Sequence, residues 1–427
     1  MMALLSAKQR FTGPWGFFAF LLLPALMLAG CAIEPRKPVP DRKLPMRLVS
    51  QKHLPHFTDD FGYDALVHAI ERSIDYLNRI SPDTRFHFGN DLFTQRHLLK
   101  SHAKFKAFIE TNPSDADINT FIRAHYRVYQ AAGSNKDGNV LFTGYYEPIL
   151  KGSLNATDTY RHPIYARPTD LITIDLSQFS PRFTGQRLMG RCTTDSVVPY
   201  FDRAAIDYND ALVGRAVPIA WIEDPIDLFF LHIQGSGKIY LESGQVMNVH
   251  YDTANGRPYR SIGKYLIDGG QIPKSRMSMQ AIRSYLEAHP AELETVLCQN
   301  PSYVFFKTEP DGPLGCLNVK LTPGRSLALD RRIFPLATLS FIETKKPIAD
   351  GEGNIEDWID FSRFVLNQDT GGAIRGPGRA DLFWGNGPYA QVAAGHMQHS
   401  GRLYFLVLKP DPAQITEIEA PTAKAPN

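Results

Sequence analysis

Two aspartates, Asp369 and Asp381, stand inside the stretch Gln368 to Gly401, QDTGGAIRGPGRADLFWGNGPYAQVAAGHMQHSG, where glycines crowd around an arginine and a run of aromatics. Glycine at this density costs folding entropy, so it suits places where backbone turns sharply or approaches a ligand closely. A carboxylate held among packed glycines and apolar neighbours (Ala373, Ile374, Leu382, Phe383, Trp384) loses hydration, and its pKa rises. From about 3.9 it must climb roughly two to three units to carry a proton usefully near neutrality, a differential of about 3 to 4 kcal/mol that burial can supply. That is a route to a general acid.

Other chemistries fit the sequence poorly. Gly385-Asn-Gly387-Pro-Tyr-Ala390 matches a dinucleotide-binding pattern in form, but too little chain follows to build a nucleotide-binding sheet, and the acid expected downstream, Asp411, falls near the end of the chain. His396 and His399 lack the glutamate or third histidine of a metalloprotease motif and read as surface or loop histidines. No GxSxG occurs, and Ser236 and Ser302 have no recognisable base nearby. Cys31, Cys192, Cys298 and Cys316 show no CxxC spacing, which argues against a zinc or thioredoxin-like site. With a formal net charge of +2 over 427 residues, nothing points to nucleic acid as a partner.

The elements that must position the aspartates follow from patterning. Lys8 and Arg10 precede an apolar run, Phe17 to Leu28, too short to span a bilayer comfortably, and the run ends in Leu28-Ala29-Gly30-Cys31. This is the pattern of a lipoprotein signal peptide over 1–30, with Cys31 as the lipidated residue and a proline-rich tether over 31–50. Helical spacing predicts helices over Asp64 to Ile80, His102 to Glu110 and Asp115 to Gln130. Val140 to Ile149 turns to β-branched and aromatic residues and reads as a strand. Between Leu150 and Tyr251 the runs HPIYARP, DLITIDL, RAVPIAWIED, DLFFLHIQGSG and KIYLESGQVMNVHY predict strand-rich structure. Helices over SIGKYLIDG and SMQAIRSYLEAH follow, the second opened by Ser278 as N-cap, and NPSYVFFK returns to strand. From Ser326 short strands recur with no helix long enough for βαβ units, which favours a barrel. Residues 411–427 read as a loose tail.

Several segments, in order, carry a resemblance across most of the chain: FTGYYEP (Phe142 to Pro148), HIQGSG (His232 to Gly237), YRSIGK (Tyr259 to Lys264), SMQAIR (Ser278 to Arg283), NPSYVFF (Asn300 to Phe306) and the Gln368 to Gly401 stretch. They resemble the membrane-bound lytic murein transglycosylase A family. The C-terminal part is similar to the family's three-aspartate domain, a double-psi β-barrel, with Asp330, Asp369 and Asp381 as its aspartates. One departure is Pro335-Leu336-Ala337-Thr338, where the family writes glycine for Ala337; this puts a turn angle in question.

The resemblance implies cleavage of the β-1,4 bond between N-acetylmuramic acid and N-acetylglucosamine, without water and without metal or cofactor, leaving a 1,6-anhydromuramic acid end. Asp381 matches the catalytic aspartate, acid first and base second. Asp369 would either support the catalytic carboxyl or cap the DTGG loop through an Asx-turn, and Asp330 would be structural. Thr143, Gly144, Tyr145, Gln234, Gly235, Ser236, Gly371 and Gly372 sit in matching segments as candidate substrate contacts, with strand and turn packing as the alternative for each. The implied fold is α+β: a catalytic domain of a helical part and a double-psi barrel (51–148 and 319–410), an inserted β-rich domain (149–318), and a groove between them for peptidoglycan glycan strands. The implied location is the outer membrane, facing the periplasm and anchored in its lipid through acylated Cys31. The sequence assigns no protein partner. Two rivals stand: a water-using muramidase with Asp369 or Glu147 as second carboxylate, and a non-lytic lipoprotein that binds or loosens the wall.

Overall fold

Along the helix Asp64–Arg79 apolar residues recur at helical spacing, and Leu66, Ala69, Ile70 and Leu77 are buried along one stripe. The computed structural model describes residues 44–410, except Lys136 and Glu352. The signal peptide, Cys31, the start of the tether and the tail 411–427 lie outside the described residues. Gln95–Ile109 begins well before the expected His102 because Thr94 caps it, its hydroxyl accepting from the His97 amide at 3.3 Å. Ser114 and Asp117 form a capping box on Asp115–His125.

That third helix stops short of the Gln130 expected from its periodicity. Tyr126–Ala131 is a strand instead, pairing antiparallel with Tyr404 to Leu408 and burying Tyr126, Val128, Tyr129 and Ala131. Aromatic and β-branched side chains suit a half-buried pleated surface, and an available sheet edge outweighs helical periodicity here. Met46–Leu48 adds beyond it as an edge strand with Met46 fully buried, so the tether expected up to residue 50 does not extend past Met46.

The barrel closes through six strands: Val140–Tyr145, Gln398–Leu408, Leu339–Ala349, Ile355–Asp369, Ser326–Ala328 and Arg379–Phe383, the last pairing back to the first. Ser326–Ala328 runs parallel to Ile355–Asp369, and Arg379–Phe383 runs parallel to Val140–Tyr145. The other barrel pairings are antiparallel. Closure, strand number and mixed pairing agree with the double-psi barrel expected, and closure removes sheet edges. Phe142, Leu327, Ile342, Val365, Leu382, Leu403 and Phe405 are buried in its core. The helices cover a second core, where Phe57, Phe105, Phe341 and Phe364 meet.

A second sheet of six strands lies between Ile149 and Glu309 in sequence, in the order Val304–Glu309, Val246–Ala254, Ser236–Leu241, Ile149–Ser153, Pro218–Ile222, His162–Tyr165. Ile172–Asp175, Arg187–Cys192 and Val197–Pro199 make a smaller sheet. One run expected as strand is a helix: DLFFLHIQ belongs to Pro225–Gln234. Its ends decide the matter. Asp224 accepts from the Ile226 amide at 2.8 Å, Pro225 occupies the first turn, and Gly235 closes the helix at φ 79°. Its apolar residues do not alternate because it is buried on two sides, Leu228 and Leu231 against the sheet and Phe229 and Phe230 against the neighbouring helices. The helix Pro388–His396, which the glycine-rich sequence hid, packs on the barrel strand Val140–Tyr145.

Candidate active site

Ala328 pairs with Asp369 on one side and with Asp381 on the other, and Asp381 pairs with Thr143. Paired residues share a sheet face, so four strands present Asp369, Ala328, Asp381 and Thr143 in one row. At about 4.8 Å per strand the backbones of the two aspartates lie about 10 Å apart. Alternation along Arg379–Phe383 puts Arg379, Asp381 and Phe383 on that face and Leu382 on the other, in the barrel core. Tyr145 pairs with Phe383, and their rings stand 5.2 Å apart. Of the neighbours expected to desolvate Asp381, Phe383 shares its face, whereas Leu382 and Trp384 pack into the core.

Thr143 Oγ1 donates to Asp381 Oδ1 and accepts from Arg379 Nη2 at 3.2 Å. Burial pushes the Asp381 carboxyl up to about 6, against the pull of the Thr143 hydroxyl and the Arg379 charge, with a small push from Asp369. Asp381 is partly open to solvent, so water reaches one side of it without surrounding it. Asp369 is engaged by three donors: the Cys316 amide (3.0 Å) and Thr370 amide (2.8 Å) on Oδ1, and the Tyr145 hydroxyl (2.8 Å) on Oδ2. Burial outweighs these bonds and raises its pKa to about 6 as well. Tyr145 is held well above its ordinary value by desolvation and the Asp369 charge.

The remaining expected residues take different places. Gly144 faces away from the carboxylates, and a side chain there would press on the Trp384 ring at 2.7 Å, so it serves packing. Gln234 Oε1 accepts from the Tyr146 amide at 3.1 Å, Gly235 caps its helix, and buried Ser236 starts a strand opposite His250. None of these three has a hydrogen bond to either aspartate. Gly371 and Gly372 continue the turn after Asp369; a side chain at Gly371 would meet Ile374 at 2.8 Å, while Gly372 faces open space. Asp330 is fully buried and structural: Arg332 binds it through Nε (2.8 Å) and Nη2 (2.6 Å), the Gly376 amide donates at 2.8 Å, and its pKa falls to about 2. Glu147 is buried where the chain leaves the barrel, bound by Asn386 Nδ2 at 2.9 Å and Lys238 Nζ at 3.5 Å.

His396 ends its helix with Nδ1 on the Val392 carbonyl at 3.0 Å, and His399 lies against Trp358. Among the described residues no group of three or more His, Cys, Asp or Glu could hold a metal ion. Cys192, Cys298 and Cys316 are all free thiols, so Cys298 and Cys316 do not pair.

Three residues near the carboxylates went unassigned by the sequence. Arg379 could have been found from its i, i+2 relation to Asp381 on a strand. Cys316 reaches Asp369 from a loop through its backbone amide. Tyr259, from the YRSIGK segment, has a hydroxyl whose pKa is raised by desolvation, with smaller opposing effects from the Arg379 and Asp381 charges. Only tertiary structure could show the last two.

The 3D domain model matches residues 325–407 and the MltA specific insert domain model matches residues 141–307. Membrane-bound lytic murein transglycosylase A of Vibrio cholerae is 32% identical over 288 residues, covering 67% of this chain and 70% of that protein. Its Escherichia coli K12 counterpart is 36% identical over 285 residues, 66% of this chain and 69% of that protein. Among solved structures, membrane-bound lytic murein transglycosylase from Agrobacterium tumefaciens superposes with a TM-score of 0.70 at 29% identity, covering 88% of this chain and 99% of that one. Escherichia coli MltA with bound chitohexaose gives 0.63 at 29% identity, covering 86% and 95%. Barrel, inserted sheet and sequence identity together make this chain a member of the membrane-bound lytic murein transglycosylase A family.

Proposed function

We propose that the chain is a lytic transglycosylase of peptidoglycan in which Asp381 is the single acid and base. The observation that carries this reading is the contrast between two neighbouring carboxylates. Asp381 has a single hydroxyl donor, whereas Asp369 is held by three donors from three segments, the Thr370 amide beside it, the Cys316 amide and the Tyr145 hydroxyl. Protonated Asp381 donates to the glycosidic oxygen as the bond from C1 of the muramyl residue breaks. The muramyl 6-hydroxyl then closes onto C1 and gives its proton to Asp381, which restores the acid. No water is consumed, and a second carboxylate to activate it, as in hydrolytic glycosidases, has no task here. With a pKa near 6, about a tenth of Asp381 is protonated at pH 7.

Asp369 is read as a positioning group: it ties Tyr145 and the Cys316 loop together, and its charge favours the proton on Asp381. Glycan would lie between the barrel face and the inserted domain (149–318), with Tyr259 and Tyr145 on its sides. The chitohexaose in the Escherichia coli relative supports glycan binding here. Anchorage to the outer membrane through Cys31 is supported by the LAGC sequence and by relatives named as membrane-bound. No helix among the described residues is long and apolar enough to cross a membrane.

Mass spectrometry of muropeptides released from purified sacculi tests the reaction. Anhydro ends, lighter than hydrolytic ends by one water, are expected, and hydrolytic ends would favour a muramidase. Asp381→Asn keeps shape and removes the transferable proton, so lysis should fall about 10⁴-fold or more while glycan binding survives. Sacculi left intact by the unaltered enzyme would favour the non-lytic alternative.

A further inference from the structure

A threonine hydroxyl carries one proton. Among the described residues Thr143 Oγ1 has two hydrogen-bond partners, Arg379 Nη2 at 3.2 Å and Asp381 Oδ1. Arginine has donors and no acceptor, so the Thr143 oxygen receives from Arg379, and its own proton has Asp381 as its one acceptor. Were that proton turned elsewhere, it would be left without a partner. Asp381 Oδ1 is therefore the accepting oxygen, and the proton of the protonated acid sits on Oδ2.

Arg379 has little other work. It is half-buried, its only hydrogen bond among the described residues goes to Thr143, and its Nε is buried without a partner. A guanidinium so poorly satisfied is costly to the fold. It stands two residues before Asp381, on the same face and about 7 Å along the strand. We propose that Arg379 is a positioning residue of the reaction: it orients the Thr143 hydroxyl, thereby fixing which oxygen of Asp381 carries the transferable proton. This rests on the reading of Asp381 as the acid and base.

The groups that act on Asp381 are Thr143 from the first barrel strand, Arg379 from its own strand and Asp369 from the strand beyond Ala328, and its charge in turn acts on the hydroxyls of Tyr145 and of Tyr259 from the inserted segment. Arg379 is the cation of this set. It favours the carboxylate, so removing it moves the loss of the Asp381 proton to higher pH.

Three variants separate charge from orientation, each assayed for kcat and KM against pH on soluble glycan strands with anhydro ends as readout. Arg379→Gln keeps a donor for Thr143 without charge: the alkaline limb should move up by about one unit with the plateau nearly kept. Arg379→Lys keeps the charge, and the limb should stay in place. Arg379→Met keeps neither: the limb should move up and the plateau of kcat fall about 10- to 100-fold, with KM unchanged. If the Met variant does not fold, Thr143→Val, which removes the hydroxyl that Arg379 orients, takes its place: its plateau should fall as far with KM unchanged, and a wild-type plateau there overturns the assignment. An unmoved limb in the neutral variants, or a folded Met variant with the wild-type plateau, overturns the assignment. Asp381→Asn in the same assay separates the two levels of argument. Activity there would sink the acid itself, whereas a dead Asp381→Asn beside an unaffected Arg379→Met would sink only the role of Arg379.

Discussion

Tyr145→Phe probes the coupling between the two carboxylates without touching the acid. The substitution keeps the ring against Phe383 and deletes the hydroxyl that donates to Asp369 Oδ2 at 2.8 Å. A hydrogen bond to a charged group contributes about 1.5 to 3 kcal/mol, and one pKa unit corresponds to about 1.4 kcal/mol, so Asp369 should rise by about one to two units. From about 6 it would reach roughly 7 to 8, and its ionised fraction at pH 7 would drop from about nine-tenths to half or less. Two unit charges about 10 Å apart at an effective dielectric of 20 interact by about 1.7 kcal/mol, so losing the Asp369 charge should lower Asp381 by up to about one unit. The acid then holds its proton less well, and the alkaline limb of the rate profile moves down.

At pH 7 the protonated fraction of Asp381 would fall from about a tenth towards a hundredth, a loss in kcat of up to about tenfold. Near pH 5 the loss should shrink. The assay is release of anhydro-muropeptides from sacculi between pH 4.5 and 8, with glycan binding measured in parallel. A limb that stays in place or moves up in a folded, binding-competent Tyr145→Phe protein would refute the coupling, and with it the view that Asp369 assists through its charge. A uniform loss at every pH would assign Tyr145 to substrate contact instead.

The active site should also be a stability liability above pH 6. The folded pKa of Asp381 is raised from 3.8 to about 6, so its contribution is fully present below pH 3.8 and is lost as pH rises through 6; Asp381→Asn should escape that loss. Thermal or urea unfolding should show the Asn variant more stable at pH 8 by up to about 3 kcal/mol and nearly equal at pH 3.5, and an equal difference at both pH values would contradict desolvation as the cause. Ala337 is buried with φ 57°, where a non-glycine residue is strained by about 1 to 2 kcal/mol. In Ala337→Gly, relief of that strain is offset by a lost methyl (about 0.8 kcal/mol) and a freer unfolded chain (about 0.4 to 1), so urea unfolding should place it within about 0.5 kcal/mol of wild type. A loss beyond 1.5 kcal/mol would mean that packing outweighs the angle at this turn.

Where a segment's fate is local, the sequence announces it. Ser278 caps the helix Met279–Ala288, and the left-handed turn that the family gives to glycine turns up at Ala337. Where a neighbour distant in sequence decides, periodicity misleads. Tyr126–Ala131 continues a helical pattern in sequence and joins a barrel strand in space, and DLFFLHIQ looks like a buried strand because a helix buried on two sides loses its amphipathic signature. The same distinction runs through the site. Asp369 and Asp381 were visible because glycines and apolar residues crowd around them in the chain itself, although of the residues after Asp381 that were expected to desolvate it only Phe383 shares its face. Tyr259 and Cys316 were not, since each comes from a different loop and carries no local mark. Gly144 looked like a ligand contact and is a packing position, because a motif residue on a strand can face either side and only the register tells which.

The barrel makes the proposed single acid workable. Asp369, Asp381 and Thr143 come from three strands, and Thr143 precedes Asp381 by the whole inserted domain, yet a register of paired residues holds them in one row. Burial alone would raise Asp381, and two charges of opposite sign act on the result from opposite sides, Arg379 drawing it down and Asp369 pushing it up. A group that must first donate and then accept works best when neither form is strongly preferred at the working pH. One that strongly held its proton would make a poor base for the muramyl hydroxyl, and one that shed it early would leave the glycosidic oxygen without a donor. In the proposed mechanism both demands fall on one carboxylate because the nucleophile belongs to the substrate. The poise of that carboxylate depends on neighbours fixed to strands rather than on mobile loops.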